Sequence, residues 1–283
     1  MNNSPSAIPL AQTPCQQPDT LRVQALRLLQ IGSTQTKAAA VRELDTTAWP
    51  LDVAQFLFEP PELPGRPARP VLVQPGALRQ RAVGTLEGRA SLIHALTHIE
   101  ANAINLALDI VWRFDGMPQA FYMDWLQVAQ EEALHFELLE AHLRTLGFAY
   151  GDFPAHDGLW DMAARTRTDL LARLALVPRT LEARGLDATP AIRNKLVSVG
   201  DLRAAQILDI ILRDEIGHVA TGNRWYRHLC TQRGLDPVAT YDLLALHHSA
   251  PVLKGPFNLD ARRAAGFDEA ELAALCGTPA AIA

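Results

Sequence analysis

The chain has 283 residues, of which 48% are apolar and 20% charged, and a formal net charge of -5. A chain of that length can bury a substantial core, and its mild acidity offers no electrostatic footprint for nucleic acid or an anionic membrane. Cys15, Cys230 and Cys276 are too few and too far apart for a disulfide framework or a thiolate zinc site.

The opening residues, MNNSPSAIPLAQTP, have neither a basic nor an apolar stretch of the secretory kind, and no apolar run approaches the length of a membrane span. The expected location is the cytoplasm, where three unpaired cysteines are unexceptional. Residues 1–18 read as a loose polar tail. A short amphipathic helix is predicted over Leu21–Gln30 and another near Lys37–Leu44. The stretch Glu59–Pro75 carries Pro60, Pro61, Pro64, Pro67, Pro70 and Pro75, which excludes helix and predicts an extended strap over the rest of the chain.

From about Thr85 the apolar spacing becomes that of long helices. The first is predicted over 86–114, closed by Asp115-Gly116, and the second from Pro118 to Thr145, before Gly147. A loop, Gly147–Gly158, precedes a third helix over 159–184, which Gly185 and Pro190 should end. A short helix follows Pro190. The fourth long helix runs from the capping Asp201 to Arg233, before Gly234. His247-His248 reads as part of a loop, the stretch from Pro251 as irregular, and Asp268 with Glu271 as the cap of a last short helix. No β pattern is present. The expectation is an all-α protein in three regions: 1–84 with tail, short helices and strap, 85–234 as a four-helix bundle, and 235–283 as an extension packed on it.

Each long helix has an inward stripe that should be apolar, with core positions recurring at spacings of three and four. The stripes are Ile93, Leu96, Glu100, Ala103, Ala107, Ile110; then Phe121, Trp125, Val128, Glu132, His135, Leu139, His142; then Leu171, Ala175, Pro178, Glu182; and finally Leu208, Ile211, Glu215, His218, Gly222, Trp225. All four are interrupted by a glutamate, and two by Glu-x-x-His. A carboxylate in an apolar core must be paired, protonated or metal-bound, and no lysine or arginine lies on these stripes. Two divalent cations would neutralise four carboxylates, with two imidazoles completing the donor set. Carboxylate oxygen with imidazole suits iron or manganese better than a thiolate-type zinc site.

The pattern is specific. Thirteen glutamates and nine histidines give about 0.4 Glu-x-x-His matches by chance, and the chain has two, both on core stripes. Glu100 stands 16 residues before Gly116 and Glu132 stands 16 after it, so an antiparallel hairpin sets them at one height. The spacing from Glu100 to Glu132 is 32 and from Glu182 to Glu215 is 33, as in a repeated helix pair.

At these residues the chain resembles the ferritin-like di-iron carboxylate superfamily. The runs HIEANAINLALDIVWRF, EEALHF, ALVPRTLEARGLDATP and DEIGHVATGNRWY resemble, within it, a bacterial family of unknown function, over most of the chain from about residue 20. The resemblance implies a ferritin-like fold with Glu100 and Glu182 as single ligands, Glu132/His135 and Glu215/His218 as paired ligands, and one glutamate of each half bridging two iron ions, or iron and manganese. It also implies that Glu131 and Asp214, each preceding a ligand glutamate, support the histidine of the opposite pair. Pro178 and the breakers after Glu182 depart from the simple pattern and mark Glu182 as an adaptable ligand.

The expected activity is that of an oxygen-activating oxidoreductase on an unknown small molecule, using dioxygen or peroxide and an unknown electron donor. The alternative is ferritin-like iron storage or peroxide detoxification. A homodimer is an admissible assembly. The strap and the segment Pro256–Leu275 exceed what a minimal bundle requires, and are assigned to a substrate pocket or gate. His94, His98 and His142 read as satisfied core groups, and Tyr122, Trp125, Trp160, Trp225 and Tyr226 as packing.

Overall fold

The computed structural model describes residues 19–79 and 81–277; the tail read at 1–18 lies outside them. The regular structure of the described residues is helical, without a strand beyond one isolated bridge between Leu72 and Ala155. No helix among them is long and apolar enough to cross a membrane.

Two short helices come first, α1 (Leu21–Leu29) and α2 (Thr34–Arg42), each started by a hydroxyl that accepts an otherwise unbonded backbone N–H: Thr20 from Val23 and Ser33 from Thr36. The strap then runs extended to a single 3-10 turn at Pro75–Ala77. It is pinned by Lys37 Nζ, which donates to the Gly65 carbonyl at 2.9 Å, and by the ion pair of Arg66 with Asp157 at 2.7 Å.

Helices α3 (Leu86–Arg113) and α4 (Gln119–Thr145) form the antiparallel hairpin about Gly116, whose φ of +72° suits glycine. α1 packs on α3 and α2 on α4, which explains why α3 is buried on nearly all sides between Glu100 and Trp112.

The third predicted helix is where the structure departs most from expectation. It is divided into α5 (Gly158–Arg165) and α6 (Leu170–Leu176), with Asp169 capping α6 by accepting from the Leu171 and Ala172 amides. α6 passes into a π-helical segment, Val177–Glu182, and without interruption into α7 (Ala183–Ser198). Glu182 therefore lies inside a continuous helical rod. Gly185 and Pro190 do not end it, because Leu186, Thr189 and Leu196 bury one face of α7 and packing against α8 (Leu202–Arg233) outweighs local propensity.

Pro178 has no N–H to give to the ladder, and the turn widens around it. The Ala183 amide reaches back five residues to the Pro178 carbonyl, and the Thr180 hydroxyl donates to the Ala175 carbonyl at 2.8 Å. Pro178 also lies directly against α8. A Cβ at Gly222 would stand 2.6 Å from Pro178 Cβ, so glycine is required there for the π segment to pack as it does.

The C-terminal region holds α9 (Pro237–His247), α10 (Leu259–Ala264) and α11 (Glu269–Gly277). His247 and His248 belong to the end of α9 and its cap, not to a loop: Asp236 accepts the Ala239 amide and Pro237 takes the first helical position. The reciprocal cap of α11 is present, with Asp268 accepting the Glu271 amide and Glu271 accepting the Asp268 amide, both at 2.9 Å.

The apolar interior is not one continuous mass. One core includes Ala101, Ile104, Ala129, Ala133, Phe136 and Trp225, and another includes Ile93, Leu139, Leu143, Leu208 and Ile211. Glu100 of α3, Glu132 and His135 of α4, and Glu215 and His218 of α8 fall where the two meet.

Candidate metal centre

Helical periodicity brings the predicted residues together. Glu100 from α3, Glu132 and His135 from α4 and Glu215 from α8 each place one ligating atom within 4.8 Å of the others. His218 joins them through Nδ1, which lies 2.9 Å from Glu132 and 3.4 Å from Glu215. His135 Nδ1 lies 3.4 Å from Glu100 and 3.5 Å from Glu132. Glu182, on the π segment, is not among the atoms that close on one another, and makes itself felt only through the charges of Glu215 and Glu132 that act on its carboxyl. Glu100, Glu132 and His135 are at most 4% exposed.

The two imidazoles are oriented alike. Both turn Nδ1 inward to the glutamates and Nε2 outward to an acid on the opposite helix. His135 Nε2 meets Asp214 at 3.1 Å, and His218 Nε2 meets Glu131 at 2.7 Å. A carboxylate on the outer nitrogen fixes the ring and leaves the inner nitrogen to act as a donor to a metal. The acids that precede the two Glu-x-x-His motifs thus each reach the histidine of the other motif.

So many like charges cannot all persist without a counterion. Burial and the neighbouring Glu132 push the Glu100 carboxyl well above the ordinary range. Burial and Glu215 do the same to Glu182, and burial with Glu132 raises Glu215. Glu132 goes the other way, held well below the ordinary range despite its burial, because it faces His218 and His135. Burial alone would lower His135, yet its contacts with Glu100 and Glu132 raise it to about 11. Even so, Glu100 Oε2, Glu132 Oε2 and His135 Nδ1 are buried and, with 3.4–3.5 Å between the nitrogen and each oxygen, make no hydrogen bond. Three unpartnered donor atoms facing one another in a core are what a bound cation would satisfy. The donor set, carboxylate oxygen with imidazole nitrogen and no thiolate, fits a hard or borderline divalent ion.

A consequence for pH follows. In the metal-free cluster His135 keeps its proton up to about pH 11, while a ligating imidazole must be neutral. Metal uptake must therefore release protons, and apparent affinity should rise as pH is raised from about 6 to about 8. Titration calorimetry in buffers of different ionisation enthalpy reads the proton release directly. An affinity that is flat over this range would contradict the arrangement.

Three further histidines each have an ordinary partner on at least one ring nitrogen, although His94 Nδ1 is buried without one. His142 pairs with Asp201 at 3.0 Å, His98 with the Tyr150 hydroxyl at 2.8 Å, and His94 Nε2 accepts the Gly151 amide at 2.9 Å. The sequence reading missed a fully buried ion pair close to the cluster: Arg173 of α6 donates to Asp109 of α3 at 2.5 Å, and Arg173 is among the charges acting on Glu182. Its one signal is Asp109 itself, a lone carboxylate inside the apolar run LALDIVW.

Fold and site together define an all-helical protein with a buried carboxylate–histidine cluster able to hold a metal ion. The chain belongs to the family described as "Protein of unknown function (DUF455)", which matches residues 30–273. It is similar to an "Uncharacterized protein" of Haemophilus influenzae, at 51% identity over 213 residues, covering 73% of this chain and 74% of the relative. No solved structure matches it.

Proposed function

We propose that the protein is a dinuclear, iron-holding carboxylate protein of ferritin-like type, and that it acts as an oxygen-activating oxidoreductase on an organic substrate. In this reading α3, α4, the α6–α7 rod and α8 are the four helices of the bundle, within 85–234, and the segments 1–84 and 235–283 are its coverings. The observation that carries it is the doubled arrangement in which each inward Nδ1 faces glutamates while each outward Nε2 rests on the acid preceding the other motif.

Glu100, Glu132, His135, Glu182, Glu215 and His218 would hold the two ions. A pair of ferrous ions would supply electrons to dioxygen. The chain's own contribution is positional. Asp214 and Glu131 fix the rings, the two apolar cores keep bulk water from the cluster, and the π segment gives Glu182 a backbone that can shift without unravelling a helix.

The test is to load the protein with ferrous iron under nitrogen and then admit oxygen. Dioxygen uptake in proportion to bound iron, with an oxygen-dependent absorption change and no growth in particle size, is expected. A shell-sized particle carrying hundreds of irons would turn the reading to storage, and absence of uptake would sink it.

A further inference from the structure

A cavity of about 390 Å3 lies between the π-helical segment, α9, the loop that follows it, and α10–α11. Tyr241, Leu246, Val252, Leu253, Phe267 and Leu275 make its walls largely apolar. Two cations also line it, Arg179 and Arg262, and they are only 4% and 0% exposed.

Each guanidinium is tied down by part of its fork. Arg179 donates through Nε to Asn223 at 2.5 Å and through Nη2 to Glu271, and its plane lies 4.2 Å from the Tyr226 ring centre. Arg262 grips Asp187 through Nε at 3.0 Å and Nη2 at 2.6 Å. In both residues the remaining nitrogen, Nη1, is buried and has no acceptor. Of the carboxylates around the cavity, Asp187 is engaged by Arg262 itself and Glu271 by Arg179 and Arg227, while Asp242 lines it from the exposed side of α9.

A buried guanidinium N–H without an acceptor is costly, and cores rarely leave one so. The same omission at two arginines bordering one cavity points to an acceptor that comes from outside the chain. The apolar walls require the rest of that ligand to be apolar. Access is provided by α9, none of whose residues is buried, with Leu243 and Leu246 left 68% and 80% exposed. A wall held by so little core packing can yield to admit a ligand.

We propose that this cavity binds an amphipathic organic acid, its carboxylate accepting from Arg179 Nη1 and Arg262 Nη1 and its apolar body lying along α9. At the ~30 Å3 that one water molecule occupies in the liquid, the cavity holds about a dozen non-hydrogen atoms. The binding needs no metal in the carboxylate cluster, with which the site shares only the π segment carrying Arg179 and Glu182.

The experiment is calorimetric titration of the 283-residue, metal-free protein with decanoate and, in parallel, with 1-decanol, which has the same chain and no charge. One decanoate should bind per chain, and 1-decanol about ten- to a hundredfold more weakly, the factor expected for charge-assisted hydrogen bonds. Arg179→Gln should bring decanoate down to the affinity of the alcohol. Because Arg179 also anchors Glu271 and Asn223, a second variant is needed. Ala245→Phe adds a ring to the α9 wall of the cavity and leaves the partners of both arginines in place, and should abolish binding while the protein still unfolds cooperatively. Equal affinity for acid and alcohol would overturn the proposal, as would unimpaired binding in a folded Ala245→Phe protein or the absence of saturable decanoate binding.

Discussion

Replacing Glu132 with alanine is expected to lower the metal content from two ions per chain to one or none, while the protein remains folded. Among the glutamates of the cluster, Glu132 is the one in contact with both imidazoles: His135 Nδ1 at 3.5 Å and His218 Nδ1 at 2.9 Å. Glu100 meets only His135 and Glu215 only His218, so each of those could be lost with one half of the cluster intact. Glu132 is also the carboxylate most firmly held in its charged form, by His218 and His135 against the effect of its own burial. His142→Ala provides the control. That imidazole pairs with Asp201 at 3.0 Å in the other apolar core, and its loss should leave the stoichiometry at two. The check is metal analysis of both variants after loading and gel filtration. A Glu132→Ala protein that keeps two ions would remove Glu132 from the ligand set.

Arg173→Ala should cost about 3–5 kcal/mol of folding stability, the penalty for breaking a buried ion pair from one side. Arg173 and Asp109 are both 0% exposed, and their contact links α6 to α3 across the interior. Arg173 also donates to the Thr166 hydroxyl at 2.9 Å and the Ala163 carbonyl at 2.6 Å, joining the two halves of the divided third helix. Asp109 would keep Arg113 and the Trp112 indole, but its carboxylate would face the vacated volume.

Burial raises the Asp109 carboxyl and Arg173 with Arg113 lowers it, and the net position is below the ordinary value. Its contribution to stability is therefore complete above the unfolded carboxylate pKa of about 3.9 and is lost as pH falls through the lower folded value. The gap between native and variant proteins should accordingly narrow in strong acid. Urea unfolding at neutral pH measures the main effect. A loss below about 1 kcal/mol would show that the pair is not a structural tie. Replacing Asp109 and Arg173 together with leucine should recover much of the loss, because neither charge of the pair is left behind and Arg113, which also loses Asp109, keeps Glu59.

The cluster was legible in the sequence because it violates a periodicity that is otherwise kept. Glu100, Glu132 and Glu215 sit where α3, α4 and α8 require apolar residues, and the two histidines follow at the spacing that shares a helix face. The hairpin about Gly116 was equally plain, since 32 residues between two glutamates on antiparallel helices leave little choice of register.

The rod that carries Glu182 was not legible. Gly185 and Pro190 are local breakers, and nothing local reveals that Leu186, Thr189 and Leu196 would be held against α8 strongly enough to override them. The division at Thr166–Asp169 and the start of α9 did leave signs, in the capping Asp169 and in Asp236-Pro237, which longer apolar patterns on either side masked. The five long cations of the interior, Arg22, Lys37, Arg173, Arg179 and Arg262, escaped for a different reason. Polarity alone assigns such residues to the surface, and only tertiary structure supplies the carbonyls and carboxylates that allow them inside. The segment from Pro256 to Leu275 was expected to form a substrate pocket or gate over the metals. Residues of it line the cavity that holds Arg179 and Arg262, whose walls contain none of the cluster's glutamates or histidines.

The proposed oxidoreductase function depends on whether the carboxylate–histidine cluster holds two metal ions. The most direct measurement is elemental analysis of protein purified without added metal, followed by anaerobic ferrous titration of whatever sites are vacant. The account predicts iron as the dominant metal and saturation at two ions per chain, with Glu132→Ala unable to reach that limit. One tightly held zinc per chain, or no metal and no ferrous binding, would contradict it.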